Sequence, residues 1–131
     1  MTRWLTALLA TYVLTCAKEV PAQTTKLMLF GTGSPQTYLG CINCSEYASD
    51  SVHNQYGHHG SAYSADSIFN HYGPFGSPYS PSSPCNVFAT DPPVIVDSSG
   101  AFYGRLTLNV YHPQANENDR LHGWLEGVCE R

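Results

Sequence analysis

Two cysteines stand three apart at Cys41 and Cys44, in "GCINCS", and two more follow at Cys85 and Cys129. A C-x-x-C pair supports three chemistries. As a redox couple it needs a helix N-terminus to stabilise a thiolate and a βαβ setting, and the flanking residues offer neither. As half of a zinc site, Cys41 and Cys44 would join Cys85 and a histidine such as His53 in a four-ligand set. His58, His59 and His71 lie near in sequence, but the histidines follow no common period. As structural residues, Cys41, Cys44, Cys85 and Cys129 form disulfides, the preferred reading for the even number that is left in an exported chain once the fifth cysteine, Cys16, is removed with an N-terminal signal. Three pairings are then open.

Other candidate chemistry is thinner. Asp50 and Asp66 with Asn54 and Asn70 could meet calcium, but one carboxylate per segment is few for an ion that takes roughly six to eight oxygens. Serine, histidine and aspartate are plentiful, yet no G-x-S-x-G elbow and no H-E-x-x-H is present. Asp97 in "VDSSG" reads as a turn residue. Glu117, Asp119, Glu126 and Glu130 read as a solvated face. No cofactor is expected, and the chain reads as non-enzymatic. Asn43-Cys44-Ser45 fits a glycosylation sequon, relevant only in a eukaryotic host.

These residues sit in or beside a repeat. "SDSVHNQYGHHGSAYS" (49–64) is nearly rewritten as "ADSIFNHYGPFGSPYS" (65–80). Ser45, Ser61 and Ser77 share the 16-residue spacing, as do Tyr47, Tyr63 and Tyr79. Asn54, Asn70 and Asn86 share it too, and Tyr56 and Tyr72 continue to Phe88. Three units, 45–56, 61–72 and 77–88, are joined by "GHHG" and "GPFG". A linker conserves composition, whereas this stretch conserves positions, so it is expected to be folded. Asp50 and Asp66 suit helix N-caps and Gly57 and Gly73 suit C′ positions, so each unit is expected to hold a short capped helical turn. Aliphatic residues are scarce here, so the tyrosines are expected to pack, their hydroxyls paired with the serines and asparagines.

The flanks read as regular elements. Residues 26–31, "KLMLFG", form a short apolar strand. Residues 93–111 form a hairpin, with Phe102, Leu106, Leu108 and Val110 alternating on one face. Leu121, Trp124, Leu125 and Val128 make a helical stripe, with Asp119 a candidate N-cap. The expected fold is α+β: a small antiparallel sheet with a C-terminal helix. The array of capped turns, 45–88, is inserted between the first and second strands.

The N-terminus carries Arg3, an apolar run over 5–17 and "VPAQ", the pattern of a secretory signal cut after Ala22. Residues 23–131 then form a single domain, secreted or periplasmic, with no membrane span left. The net charge of −4 and the scattered cations exclude a nucleic-acid footprint and attraction to anionic membranes.

"YLGCINC" running into the S-[VI]-x-N-x-Y-G repeats and then "PPVIVDSSGAFYG" resembles a family of small exported bacterial proteins that carries no established activity. The resemblance covers about 27–111 and implies secretion and a shared fold. Members commonly hold an aromatic residue where this chain has Cys85. That departure implies a cysteine partner peculiar to this chain, with Cys129 the candidate.

The expected role is a module that binds a protein or an envelope polymer through exposed repeat aromatics, Tyr63, Tyr72, Phe75 and Tyr79. The alternatives are a metal-binding protein, for zinc or calcium, and an envelope hydrolase.

Overall fold

The computed structural model describes residues 25–130; the signal segment expected over 1–22 lies outside them. β1 (Leu27–Gly31) and β2 (Thr37–Cys41) make one antiparallel hairpin, β3 (Val94–Asp97) and β4 (Phe102–Arg105) a second. β1 pairs antiparallel with β3, which sets the sheet order β2-β1-β3-β4. One helix, α1 (Asp119–Cys129), follows. The antiparallel sheet with a C-terminal helix is thus the expected α+β arrangement.

Three expectations about the sheet and the array need correction. β2 was not expected, because Gly40, at φ +111°, breaks its apolar run. The array therefore enters between the second and third strands. β4 ends at Arg105, and residues 106–111 leave the sheet. There Leu106 N–H and Leu108 N–H donate to Pro93 and Pro84 carbonyls, each at 2.9 Å, and Phe102 and Val110 are largely exposed. The third correction concerns the array itself.

Residues 45–89 form no helix. They form a chain of β-turns that advances three residues at a time, through bonds such as Asn54 N–H to Ser51 C=O (3.2 Å) and Gly57 N–H to Asn54 C=O (2.9 Å). The turns open on Ser45, Ser51, Asn54, Ser61, Ser64, Ser67, Asn70, Ser77, Ser80, Ser83 and Asn86. Each of these eleven side chains accepts the N–H two residues on, at 2.9–3.3 Å. This local bond competes with the helical ladder, which is why the capped helices do not form. Each asparagine amide also donates to the carbonyl six residues back: Asn54 to Ala48, Asn70 to Ser64 and Asn86 to Ser80, at 3.0–3.2 Å. At G-x-x-G the turn widens, with Ser61 N–H reaching Gly57 C=O and Ser77 N–H reaching Gly73 C=O. Four steps of three and one of four make the 16-residue period.

The period aims three sets of side chains. Val52, Ile68 and Pro84 point inward and are buried, and Ser51, Ser67 and Ser83 are buried beside them. The aliphatic pair shares a core with Leu39, Leu29 and Ile95 of the strands, with Leu106, and with Leu125 and Val128 of α1. His53, Phe69 and Cys85 face the helix. The Trp124 ring meets His53 at 5.4 Å and Phe69 at 6.3 Å, and Cys85 is bonded to Cys129. His59, Phe75 and Asp91 face the sheet. His59 covers Gly40 of β2, where an added Cβ would fall 2.7 Å from the His59 Cβ. Phe75 covers Gly31 of β1, where a Cβ would overlap its ring. Asp91 pairs with Arg105 of β4 at 2.9 Å. Successive repeats are thus docked across the sheet in strand order.

Each outer strand of the sheet pairs at its last residue with the chain itself. Beside β2, Cys41 N–H donates to Asp50 C=O (2.8 Å) and Val52 N–H to Cys41 C=O (3.0 Å). Beside β4, Arg105 N–H donates to Gln114 C=O (2.8 Å). The N-cap of α1 is Asn118, not Asp119; its side chain accepts Leu121 N–H at 3.1 Å. No helix among the described residues is long and apolar enough to cross a membrane.

Candidate functional site

The first turn of each repeat places Tyr47, Tyr63 and Tyr79 two residues after its serine, and the fourth places Tyr56, Tyr72 and Phe88 two residues after its asparagine. The backbone N–H of each is held by that side chain, so the ring is carried outward. All six are exposed, from 82% at Phe88 to 100% at Tyr72. The expectation that tyrosines form the interior is therefore corrected: the small third-turn column fills it, and the rings form two rows on the surface. Ring–ring contacts among the described residues, such as Phe30–Tyr38 and Tyr38–His59, do not involve either row.

Five of these rings, all but Phe88, line a groove of three adjoining open hollows, of about 910, 650 and 510 Å³, which also takes in Trp124, Val128 and Cys129 of α1. Tyr47 and Tyr56 flank the first, with Trp124 against it. Tyr63 and Tyr72 flank the second, and Tyr72 and Tyr79 the third. The first two share Gln55, Gly60, Phe69 and Val128; the second and third share His71 and Tyr72. Of the four aromatics expected to form a contact surface, Tyr63, Tyr72 and Tyr79 line this groove, whereas Phe75 is half-buried against β1.

Sequence reasoning missed the part played by Tyr47, Tyr56 and Phe88, which the repeat alignment already contained. It also missed a fourth N-x-[YF] turn, Asn109-Val110-Tyr111. There Asn109 accepts Tyr111 N–H at 3.2 Å and donates to Ala89 C=O at 3.0 Å, and Tyr111 is likewise exposed.

The cysteines are paired as Cys41–Cys44 and Cys85–Cys129. A zinc set of Cys41, Cys44, Cys85 and His53 is therefore not assembled, since each sulfur is bonded to another and His53 Nε2–H donates to Ile42 C=O at 2.8 Å. Among the described residues no three His, Cys, Asp or Glu are grouped to hold a metal ion. The proposed calcium carboxylates belong to separate networks. Asp50 accepts from Lys26 (2.7 Å) and Tyr38 (2.6 Å), and Asp66 from His58 (2.8 Å). Lys26 and then Tyr38 hold the Asp50 carboxyl below its ordinary range, while burial and Asp50 push the Tyr38 hydroxyl above its own. The sequon residue Asn43 is occupied by the backbone: it accepts Leu27 N–H and donates to Thr25 C=O.

Ser64, His58 and Asp66 make a polar relay. Ser64 Oγ lies 3.3 Å from His58 Nδ1, and His58 Nε2–H donates to Asp66 Oδ2. Hydrolysis would also need a place for substrate and oxyanion donors. None of the three hollows is lined by these residues, and Ser64 Oγ already accepts Asp66 N–H at 3.2 Å. The relay braces one exposed corner of the array. No family model, curated protein or solved structure matches this chain.

Proposed function

We propose that this protein is an exported, non-enzymatic binding module whose contact surface is the paired rows of repeat aromatics. The observation that carries this reading is the exposure of six large rings from two fixed positions of every repeat, beside a groove whose hollows follow the same repeat. Scattered exposed rings need no explanation, but rings exposed at two fixed positions of every repeat, five of them lining adjoining hollows, concentrate apolar surface as an interaction site does. Tyrosine offers broad contact at low entropic cost, with a hydroxyl that tolerates water when unbound. Export is supported by the two disulfides, by the signal-like N-terminus and by the likeness to small exported bacterial proteins.

The test is recovery of a partner from the native extracytoplasmic fraction by wild type and by a Tyr63→Ala/Tyr72→Ala/Tyr79→Ala variant. Wild type retains a partner and the variant loses it, while the thermal midpoint stays unchanged. Equal retention by both, or unfolding of the variant, defeats the reading.

A further inference from the structure

We infer that the groove lined by the repeat tyrosines binds an uncharged glycan chain lying along the repeats. The inference rests on the reading of those rows as a contact surface and adds the class of ligand.

Charge narrows the ligand first. Among the described residues no Lys or Arg lines any of the three hollows, and Glu46 is the only carboxylate. A polyanion would find no cation there, and the chain as a whole is acidic. A polycation would find a single carboxylate. The complementary ligand is neutral.

Hydrogen-bonding capacity narrows it further. An extended peptide gains affinity by adding to unpaired backbone groups at a sheet edge. Along this groove the N–H groups of Tyr47, Tyr56, Tyr63, Tyr72 and Tyr79 are already held by the serine and asparagine side chains of their own turns. No residue of the outer strands β2 and β4 lines the three hollows, so neither sheet edge opens onto the groove. What the groove presents is aromatic faces, phenolic hydroxyls, the Gln55 amide and the His71 imidazole. A pyranose ring matches that set. Its axial C–H face packs on an aromatic ring, and its equatorial hydroxyls bond to the polar groups around it.

Repetition narrows it last. The hollows adjoin; the first two are each lined by both tyrosines of one repeat, and the third by Tyr72 and Tyr79 of successive repeats. A ligand made of one unit repeated, held in an extended chain, can satisfy all three at once, and linked contacts reinforce one another.

The experiment measures retention of the full folded domain on cellulose, chitin, β-1,3-glucan and amylose. Soluble oligomers of any retained polymer are then titrated. Wild type is retained on at least one neutral polymer. Affinity rises with oligomer length until the hollows are filled and changes little from about 0.05 to 0.5 M salt. Tyr63→Ala and Tyr72→Ala each weaken binding at least about tenfold with unchanged thermal midpoints. Retention on none of the four polymers overturns the glycan assignment, as does retention that the tyrosine variants do not reduce. If a partner from the native fraction still depends on the tyrosines while all four glycans fail, the contact surface stands and its ligand is a protein. If neither depends on them, both inferences fail.

Discussion

Serines and asparagines at eleven of the three-residue steps decide the backbone of a third of this molecule. The side-chain oxygen, one bond from Cβ in serine and two in asparagine, reaches the N–H two residues ahead before a helix can claim it. Asn70 shows the full effect: it accepts Tyr72 N–H at 3.1 Å and donates to Ser64 C=O at 3.1 Å. Asn70→Ala leaves both groups without their partner and is expected to cost about 1–3 kcal/mol. Tyr72→Ala, at a fully exposed ring, should stay within about 0.5 kcal/mol of wild type. Urea titrations of the two variants check the contrast. Asp97 acts as a second local organiser. It accepts Ser99 N–H and hydroxyl, Ala101 N–H and the Tyr103 hydroxyl. Ser99 and then Tyr103 lower its pKa to about 2. A depressed aspartate stabilises the fold fully above its unfolded pKa of about 3.9 and loses that contribution as pH falls through the folded value. Asp50, also lowered, acts in the same sense. The thermal midpoint is therefore expected to drop between pH 4 and about 2. Asp97→Asn should melt lower at neutral pH and lose part of that acid dependence.

The element that carries the repeat is the widened G-x-x-G turn, because it restores the phase after four three-residue steps. Its last glycine lies under the chain it has just left: a Cβ at Gly76 would run into the Asn70 carbonyl oxygen and lie 2.8 Å from that of Ile68. Both obstacles are backbone, so neither can swing aside. Gly76→Ala is expected to destabilise by about 2–4 kcal/mol, whereas Gly123→Ala in α1, with nothing within 4 Å, should gain up to about 1 kcal/mol. Chemical denaturation of both variants measures the difference. The three-residue phase was visible in the serines and asparagines themselves. It went unread because aspartate before and glycine after a short run also describe a capped helix, and only the bond each side chain makes separates the two.

For the molecule as a whole, the repeats, the sheet and the helix stabilise one another through columns 16 residues apart. α1 is tied to the third repeat by Cys85–Cys129, which closes a span of 44 residues, while Cys41–Cys44 closes only three. Loop entropy assigns about 4 kcal/mol to the longer link. A Cys85→Ala/Cys129→Ala variant should lose about that much, with amide exchange rising first in α1. Equal protection of α1 in variant and wild type would show that the Trp124 contacts suffice. The helix stripe, the first strand and the sheet-plus-helix class were legible because each has a period and an apolar face. β2 was not, since a glycine interrupts it for the sake of His59. The candidate groove was legible only in part: Tyr63, Tyr72 and Tyr79 stood out by spacing, but spacing is blind to burial, and Phe75 has the same chemistry with half its ring against Gly31.

By itself the sequence determined the 16-residue rhythm, the place of the helix and the chemical make-up of each repeat, because these follow from spacing and from bonds within a few residues. Only the tertiary structure decided which side of the rhythm faces inward, which cysteines meet, and that the aromatic rings line a groove. Those outcomes depend on how three coils are laid across four strands and one helix, and contacts between residues dozens of positions apart leave no local pattern in a chain.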